Sequence, residues 1–366
     1  MTCVLVNPYP WRHANGVTSY VRNLRSFLRK VGIDSACISN DAALPRAAYQ
    51  RYVRDTLTAR FRPDEIVVEA PEVESPTLLL PPEYPVHIRL HCPRALVDAH
   101  NGRSVDWGGF EEEMHVARNA RVVSSPSYAL LRALDGQLAT DAVHVYKNPP
   151  PARAASIAGN AEKKCDLVFL GRFSRLKGED FLEPLLRRLP AGLSIAMAGR
   201  GSDHFAAPPE ARCIATIQDE IVGDKRLDFL GEGRASLILS RFENCSMTIL
   251  ESLSTNTIVV GWRVGGNEEI ATPRLVRLVP LGDQDGLVAT IDDVLRQPYP
   301  QPREFADATA RIREDFRSGW THAWNALRRS ASVPLYRGMN CSGRPAERAE
   351  GDVLGSERLR RRYSGM

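Results

Sequence analysis

Residues 241–270 read R-F-E-N-C-S-M-T-I-L-E-S-L-S-T-N-T-I-V-V-G-W-R-V-G-G-N-E-E-I. Two glutamates, Glu243 and Glu251, are separated by seven residues, and Gly265, Gly266 and a further acid, Glu269, follow. Eight steps along one straight helix would set the two carboxylates about 12 Å apart. They serve one ligand only if Glu243 lies in the loop before a helix and Glu251 on the helix itself. Ser246 is a good N-cap residue, and Ile249, Leu250 and Leu253 form an apolar stripe behind it. Asn256 can end the helix in a left-handed conformation. A β-branched run over 257–261 then predicts a strand. The layout is acid, helix N-terminus, second acid. A helix N-terminus attracts phosphate, and flanking carboxylates accept bonds from sugar hydroxyls. An amphipathic helix with two solvated glutamates would show the same spacing.

Upstream, residues 167–178 read L-V-F-L-G-R-F-S-R-L-K-G. An apolar strand over 166–170 ends at Gly171, and Arg172 and Lys177 project from the loop beyond it. Ligands of open α/β sheets bind past the carboxyl ends of strands. Two cations there suit a diphosphate, Arg as a fork and Lys as a point charge, although a solvated basic loop has the same composition. Arg175, between them, is read as solvent-facing. At the N-terminus a strand over 2–6, a Pro- and Trp-bearing loop, Gly16 and a helix over about 17–31 make the opening of a Rossmann-like unit. G-x-G-x-x-G is absent and no acid closes the following strand, so a dinucleotide dehydrogenase is poorly supported. Residues 86–93, V-H-I-R-L-H-C-P, predict a short strand with His91 at its end and His87 on the same face.

This ordered set resembles the retaining family-4 glycosyltransferases of GT-B type (glycosyl transferases group 1) over roughly residues 1–330. Residues 241–270 are similar to the family's E-x7-E element, and 171–178 to its G-R-x(4)-K-G segment. The loop at Gly16 is similar to its opening glycine turn, with Asn15 in place of the first Gly; Asn tolerates positive φ. Residues 67–72 and 86–93 resemble its E-x-P-E and R-L-H-x-P arrangement. The resemblance implies two Rossmann-like, doubly wound α/β domains facing a cleft, with a C-terminal helix returning to the first. It implies transfer of a sugar from a nucleotide-diphosphate sugar to a hydroxyl, with retention. Arg172 and Lys177 would neutralise the leaving diphosphate, Glu243 would hold donor sugar hydroxyls, Glu251 the ribose, and His91 would face the sugar from the N-terminal domain. Gly16, Gly171, Asn244, Cys245 and Ser246 would line the donor site, with Asn244 and Ser246 standing where many members carry Gly. No nucleophile is evident, which suits front-face displacement assisted by the leaving phosphate.

One departure bears on function. Family members carry a helix between a glycine and the strand leading to the first glutamate. In residues 230–240, L-G-E-G-R-A-S-L-I-L-S, only about five residues separate the two. That predicts a curtailed nucleobase-contacting segment and keeps open an inactive sugar-nucleotide-binding or scaffold protein. Asp283 and Asp285 form a D-x-D, read as a helix N-cap with surface charge rather than a metal site. No metal and no cofactor beyond the donor substrate is expected.

The 366 residues, 43% hydrophobic and 25% charged, suit about two globular domains. The expected boundaries are 1–150 for the acceptor domain, joined by the returning helix at about 315–330, then 165–314 for the donor domain. A Pro/Ala-rich linker falls at 149–164 and a mostly disordered tail at 331–366. That tail has seven Arg and four acids against a whole-chain charge of +4, so the folded body is near neutral. A neutral body disfavours nucleic acid as a partner. The Arg-rich 358–362 run could touch anionic lipid, though a solvated tail is the simpler reading. The partners expected are the donor and a sugar, lipid-linked or small-molecule acceptor. The seven scattered cysteines lack C-x-x-C, which argues against zinc and suits a reducing cytoplasm; Cys3, Cys37 and Cys165 are expected in the core. No run reaches about 18 apolar residues and no signal peptide is evident, so a cytoplasmic location with at most peripheral membrane contact is expected.

Overall fold

The computed structural model describes residues 1–13, 15–152, 163–331 and 358–363. The chain folds as two compact units. Unit 1 is Met1–Trp11, Leu28–Tyr146 and Ser318–Met366; unit 2 is Arg12–Phe27 and Lys147–Arg317.

Unit 1 carries β1 (Thr2–Asn7), β2 (Ser35–Ser39), β3 (Ile66–Pro71), β4 (Val86–Arg89), β5 (Val122–Ser125) and β6 (Val143–Val145) in one parallel sheet of order β2-β1-β3-β4-β5-β6. The helices between them are α1 (Gly16–Lys30), α2 (Arg46–Arg60), α3 (Arg94–His100), α4 (Trp107–Asn119) and α5 (Tyr128–Ala133). β3 is buried at every residue while the edge strand β6 is half-buried throughout, as covered central strands and open edges of a parallel sheet require. Asn15 works as the N-cap of α1: its side-chain oxygen accepts the Thr18 N–H at 2.8 Å. This use of Asn satisfies an orphan amide of the first turn, a different service from the turn conformation expected of it.

Unit 2 carries β7 (Cys165–Leu170), β8 (Ser194–Ala198), β9 (Ile214–Gln218), β10 (Gly233–Ile238), β11 (Ile258–Trp262) and β12 (Val276–Val279). All pair in parallel, in the order β12-β11-β10-β7-β8-β9. Its helices are α6 (Glu179–Arg188), α7 (Lys225–Glu232), α8 (Met247–Ser254), α9 (Gln284–Arg296) and the first part of the long α10 (Pro302–Ala331), which belongs to unit 1 from Ser318 onward. α8 presents Ile249, Leu250 and Leu253 to the core, each exposed by 1% or less. Burial of one such side chain stabilises by about 1.5–3 kcal/mol. The chain runs outward from β7 through β8 to β9 and then returns to the other side of β7 at β10. The strand order therefore reverses between β7 and β10, and the loops after these two strands flank the switch point where ligands of doubly wound sheets bind.

The expected curtailment at 230–240 is overturned. β9, α7 and β10 make a full strand–helix–strand unit. The Phe229-Leu230-Gly231 triplet reads like a strand ending at a glycine. It is instead the last turn of α7, whose Phe229 and Leu230 pack on Val168, Leu170 and Ala198 of the sheet. With it goes the motive for an inactive scaffold.

Most of the expected linker, 153–162, lies outside the described residues, as do 332–357 and 364–366 of the expected disordered tail. Residues 358–363 are described and helical, which corrects that expectation for them. Leu359 and Tyr363 are buried one turn apart, Tyr363 lies edge-on to His100 and Arg360 covers Trp107. Two apolar residues at i and i+4 suffice to dock a turn that composition alone marks as solvated. Among the cysteines expected in the core, Cys3 is buried, whereas Cys37 and Cys165 are only half-buried.

Candidate active site

Sequence and fold converge on the switch point of unit 2. The loop after β7 begins at Gly171 and closes in a 3-10 turn, Arg175–Lys177, ended by Gly178. Gly178 has φ +80°, and a Cβ there would sit 1.9 Å from the Leu239 carbonyl oxygen. Only glycine permits this loop to press against the one after β10. From the other side Arg241 staples the two. Its backbone N–H donates to the Leu176 carbonyl at 2.8 Å, and its guanidinium makes two 2.6 Å bonds to Asp180. The same guanidinium lies over the Phe181 ring at 4.3 Å.

Lys177 and Glu243 meet at this seam. Glu243 lies in the loop and Glu251 on α8, as the spacing requires. Lys177 Nζ donates to Glu243 Oε1 at 2.5 Å, and the Ser240 hydroxyl donates to the same oxygen at 2.6 Å. Glu243 Oε2 has no partner among the described residues. The Glu243 carbonyl accepts the Gly266 N–H at 2.7 Å, and at Gly265, φ +52°, a Cβ would fall 2.0 Å from that carbonyl oxygen. The glycine pair is thus what lets the 265–267 turn close on the glutamate. Arg172 is exposed, with no hydrogen-bond or ion-pair partner among the described residues.

Between the two acids stands the N-terminus of α8. Ser246 is its N-cap residue by position, but no side chain caps this end, so the expected cap bond is not formed. Asn244 turns its side-chain oxygen onto the Cys245 N–H at 2.6 Å. Cys245 is buried, and its sulfur accepts the Asn148 N–H at 3.5 Å. Among the described residues no side chain caps the first turn of α8, and Lys177 is bonded to Glu243 in the loop just before it, an arrangement suited to a phosphate group. Asn256, at φ +54°, follows the end of α8 in the left-handed region.

Three participants are not legible in the sequence. Arg226, in the first turn of α7, donates to Glu251 Oε2 at 2.7 Å. Ser240 shares Glu243, and Lys147 Nζ meets Glu269 Oε2 at 2.9 Å. None carries a motif: Ser240 sits three residues from Glu243 with nothing to mark it, and the partners of Arg226 and Lys147 are far away in the sequence. Asp283 caps α9, its carboxylate accepting the Gly286 N–H at 2.9 Å, and Asp285 points outward, 95% exposed, as their spacing predicts.

The remaining sequence candidates fall elsewhere. Gly16 is exposed at the start of α1, in the Arg12–Phe27 part of unit 2, with open space about its Cα. His91 lies just past β4 in unit 1 and is buried. Its N–H donates to Glu72 Oε2 at 2.8 Å. Burial, aided by the Arg89 charge, pushes its ring down to about 3, so the imidazole stays neutral at any working pH. A neutral ring can orient a hydroxyl but brings no charge. Its strand neighbour His87 sits in a buried network instead: Nδ1 is 3.2 Å from Glu69 Oε2 and Nε2 2.7 Å from the Ser124 hydroxyl. Trp320 of α10 donates to the same Glu69 oxygen at 2.9 Å, which ties the C-terminal helix into unit 1.

No family model matches the chain, and no curated protein matches it. Solved structures do. Sucrose-phosphate synthase from Thermosynechococcus elongatus superposes with a TM-score of 0.66 at 14% identity, covering 90% of this chain and 99% of that one. AviGT4, a glycosyltransferase involved in avilamycin A biosynthesis, gives 0.62 at 20% identity over 91% and 99%. Anabaena HepE in complex with UDP-glucose gives 0.62 at 13% identity over 91% and 100%. The chain has the GT-B fold, two doubly wound α/β units with parallel six-stranded sheets. Among the described residues, no helix is long and apolar enough to cross a membrane, and no group of His, Cys, Asp and Glu is arranged to hold a metal.

Proposed function

We propose that this chain is a retaining glycosyltransferase that takes a sugar from a nucleoside-diphosphate sugar and delivers it to a hydroxyl acceptor. The observation that carries the reading is the seam at the switch point. Lys177 and Glu243 are paired through one carboxylate oxygen, an unpaired Arg172 stands in the same loop, and the helix N-terminus beyond them is uncapped by any side chain. In the reaction the sugar C1–O bond to the diphosphate breaks and a bond from the acceptor oxygen to C1 forms on the same face. The acceptor proton passes to a phosphate oxygen of the leaving group. Arg172, Lys177 and the first turn of α8 meet the negative charge that develops there. Glu243 Oε2 accepts from donor sugar hydroxyls and Glu251 from the ribose. The charge stabilisers are cationic side chains and a helix end, so no metal is assigned a role. AviGT4 and HepE, of the same fold, are described respectively as a glycosyltransferase and as bound to UDP-glucose. We assign the acceptor to a sugar, a lipid-linked saccharide or a small molecule, and the pathway to surface polysaccharide or glycoconjugate assembly.

The test is a melting screen with UDP, GDP and ADP, followed by transfer from the sugar conjugates of the nucleotide that stabilises the protein. Glu243→Ala should keep its affinity for the bare nucleoside diphosphate within about twofold, since that ligand lacks the sugar, yet lose turnover by about 100-fold. A protein stabilised by none of the three nucleotides, with no turnover of their conjugates, would overturn the reading.

A further inference from the structure

Unit 2 contains two arginine–carboxylate pairs of different build. Arg241 and Asp180 engage fork to fork, two nitrogens on two oxygens at 2.6 Å. This satisfies both groups and is the geometry of a pair that fastens two loops. Arg226 is as buried as Arg241, and Glu251, with 6% of its side chain exposed against 50% for Asp180, is far more buried, yet the two share a single 2.7 Å bond from Nη2 to Oε2. The Arg226 Nε is buried without any hydrogen-bond partner, and Glu251 Oε1 has none among the described residues. A buried pair whose purpose was stability alone would close the fork, because each uncommitted polar atom out of water costs free energy. The open build leaves one carboxylate oxygen uncommitted among the described residues, on the fifth residue of α8.

We propose that Arg226 is a positioning residue for donor recognition: its single bond to Oε2 holds Glu251 turned so that Oε1 is left to accept from the hydroxyls of a ribose. The assignment rests on the proposed donor reading, in which Glu251 meets the ribose, and it adds a specificity determinant. Removal of Arg226 takes away the one bond that orients the buried Glu251 carboxylate, which is then free to rotate toward water, and an acceptor aimed at a diol is lost. The sequence carries Arg226 in D-K-R-L-D, where nothing distinguishes it from Lys225 beside it. The packing of α7 beside α8 singles it out.

The experiment is a ligand-side cycle by calorimetry. The nucleoside diphosphate that wild type binds among UDP, GDP and ADP is compared with its 2′,3′-dideoxy counterpart. The proteins are wild type, Glu251→Ala, Arg226→Ala and Arg226→Lys. Wild type should lose about tenfold or more in affinity when the hydroxyls are absent, the scale of a hydrogen bond to a charged group. Glu251→Ala and Arg226→Ala should both bind the two nucleotides within about twofold of each other, and Arg226→Lys should keep part of the discrimination. A purely structural role would lower affinity for both nucleotides equally and leave their ratio as in wild type. If Arg226→Ala does not fold, Arg226→Lys decides: it keeps the charge but not the reach, and an unchanged ratio overturns the inference. Ribose discrimination lost in Glu251→Ala but intact in folded Arg226→Ala overturns Arg226 alone. Discrimination intact in Glu251→Ala overturns the ribose assignment. A wild type that binds no nucleoside diphosphate overturns the donor reading and this inference with it.

Discussion

Lys177→Ala tests the seam at the switch point through stability and turnover at once. The substitution strands the Glu243 carboxylate, 10% exposed, with only the Ser240 hydroxyl on it. Breaking a fully buried pair costs about 3–5 kcal/mol. Lys177 keeps 28% of its side chain exposed and Ser240 remains, so the discounted cost is about 1–2 kcal/mol. For a unit of this size that lowers the melting temperature by roughly 3–6 °C. Turnover should fall further, by about 100-fold to 1,000-fold, the scale of one lost stabiliser of developing charge. The double variant Lys177→Met with Glu243→Gln separates the effects. It removes both charges, so stability should return to within about 0.5 kcal/mol of wild type, while turnover stays down. Thermal melts and steady-state kinetics on the same preparations give both numbers. Recovery of turnover along with stability in the double variant would refute the reasoning, because the pair would then be a fastener and nothing more.

Arg172→Ala should melt like wild type, since Arg172 is exposed and unpaired among the described residues, yet lose about 100-fold in turnover and bind nucleoside diphosphate more weakly. Gly178→Ala should cost about 2–4 kcal/mol in a melt, from positive φ and the 1.9 Å approach to Leu239. Activity should persist in excess EDTA; full loss reversed by Mg²⁺ or Mn²⁺ would show Asp283 and Asp285 to be misread. Burial raises the Glu72 carboxyl from 4.5 to about 7, against the backbone N–H of His91 and its neighbours, which lower it. The folded state then holds this proton more tightly than the unfolded one. Its contribution is full below about pH 4.5 and is lost as pH rises through 7, roughly 3 kcal/mol in all. Glu72→Gln should flatten this fall in pH-dependent melts, and an unaltered slope would remove Glu72 as its source.

The legible parts of the chain are those where one local pattern has one reading. The stretch 241–270 places a loop acid, an apolar stripe behind a helix start, a left-handed Asn and a β-branched strand in an order that only one backbone path accommodates. α8 and β11 lie where that order puts them. Phe229-Leu230-Gly231 misleads because a short apolar run before a glycine serves equally as a strand end or a helix face. The choice is made by packing on β7 and β8, which periodicity does not reveal. Arg226 and Ser240 are invisible for another reason. Ser240 lies only three residues from Glu243, but no local pattern marks its hydroxyl, and Arg226 lies 25 residues from Glu251 and reaches it only through the packing of α7 beside α8. At His91 the sequence shows a strand-end histidine but not its burial, which decides that the ring is neutral.

The Arg241 staple has a consequence for anyone wishing to re-engineer the loops at the switch point. Arg241 joins backbone to Leu176, side chain to Asp180 and ring face to Phe181, all from the loop that also carries Glu243. The segment before α6 and the segment before α8 therefore form one mechanical part, although more than fifty residues of chain lie between them. A graft of residues 239–246 from another scaffold would arrive without its matching half and would open the seam under Gly178. The two loops are accordingly exchangeable only as a cassette of two pieces, 171–181 with 239–246, moved together.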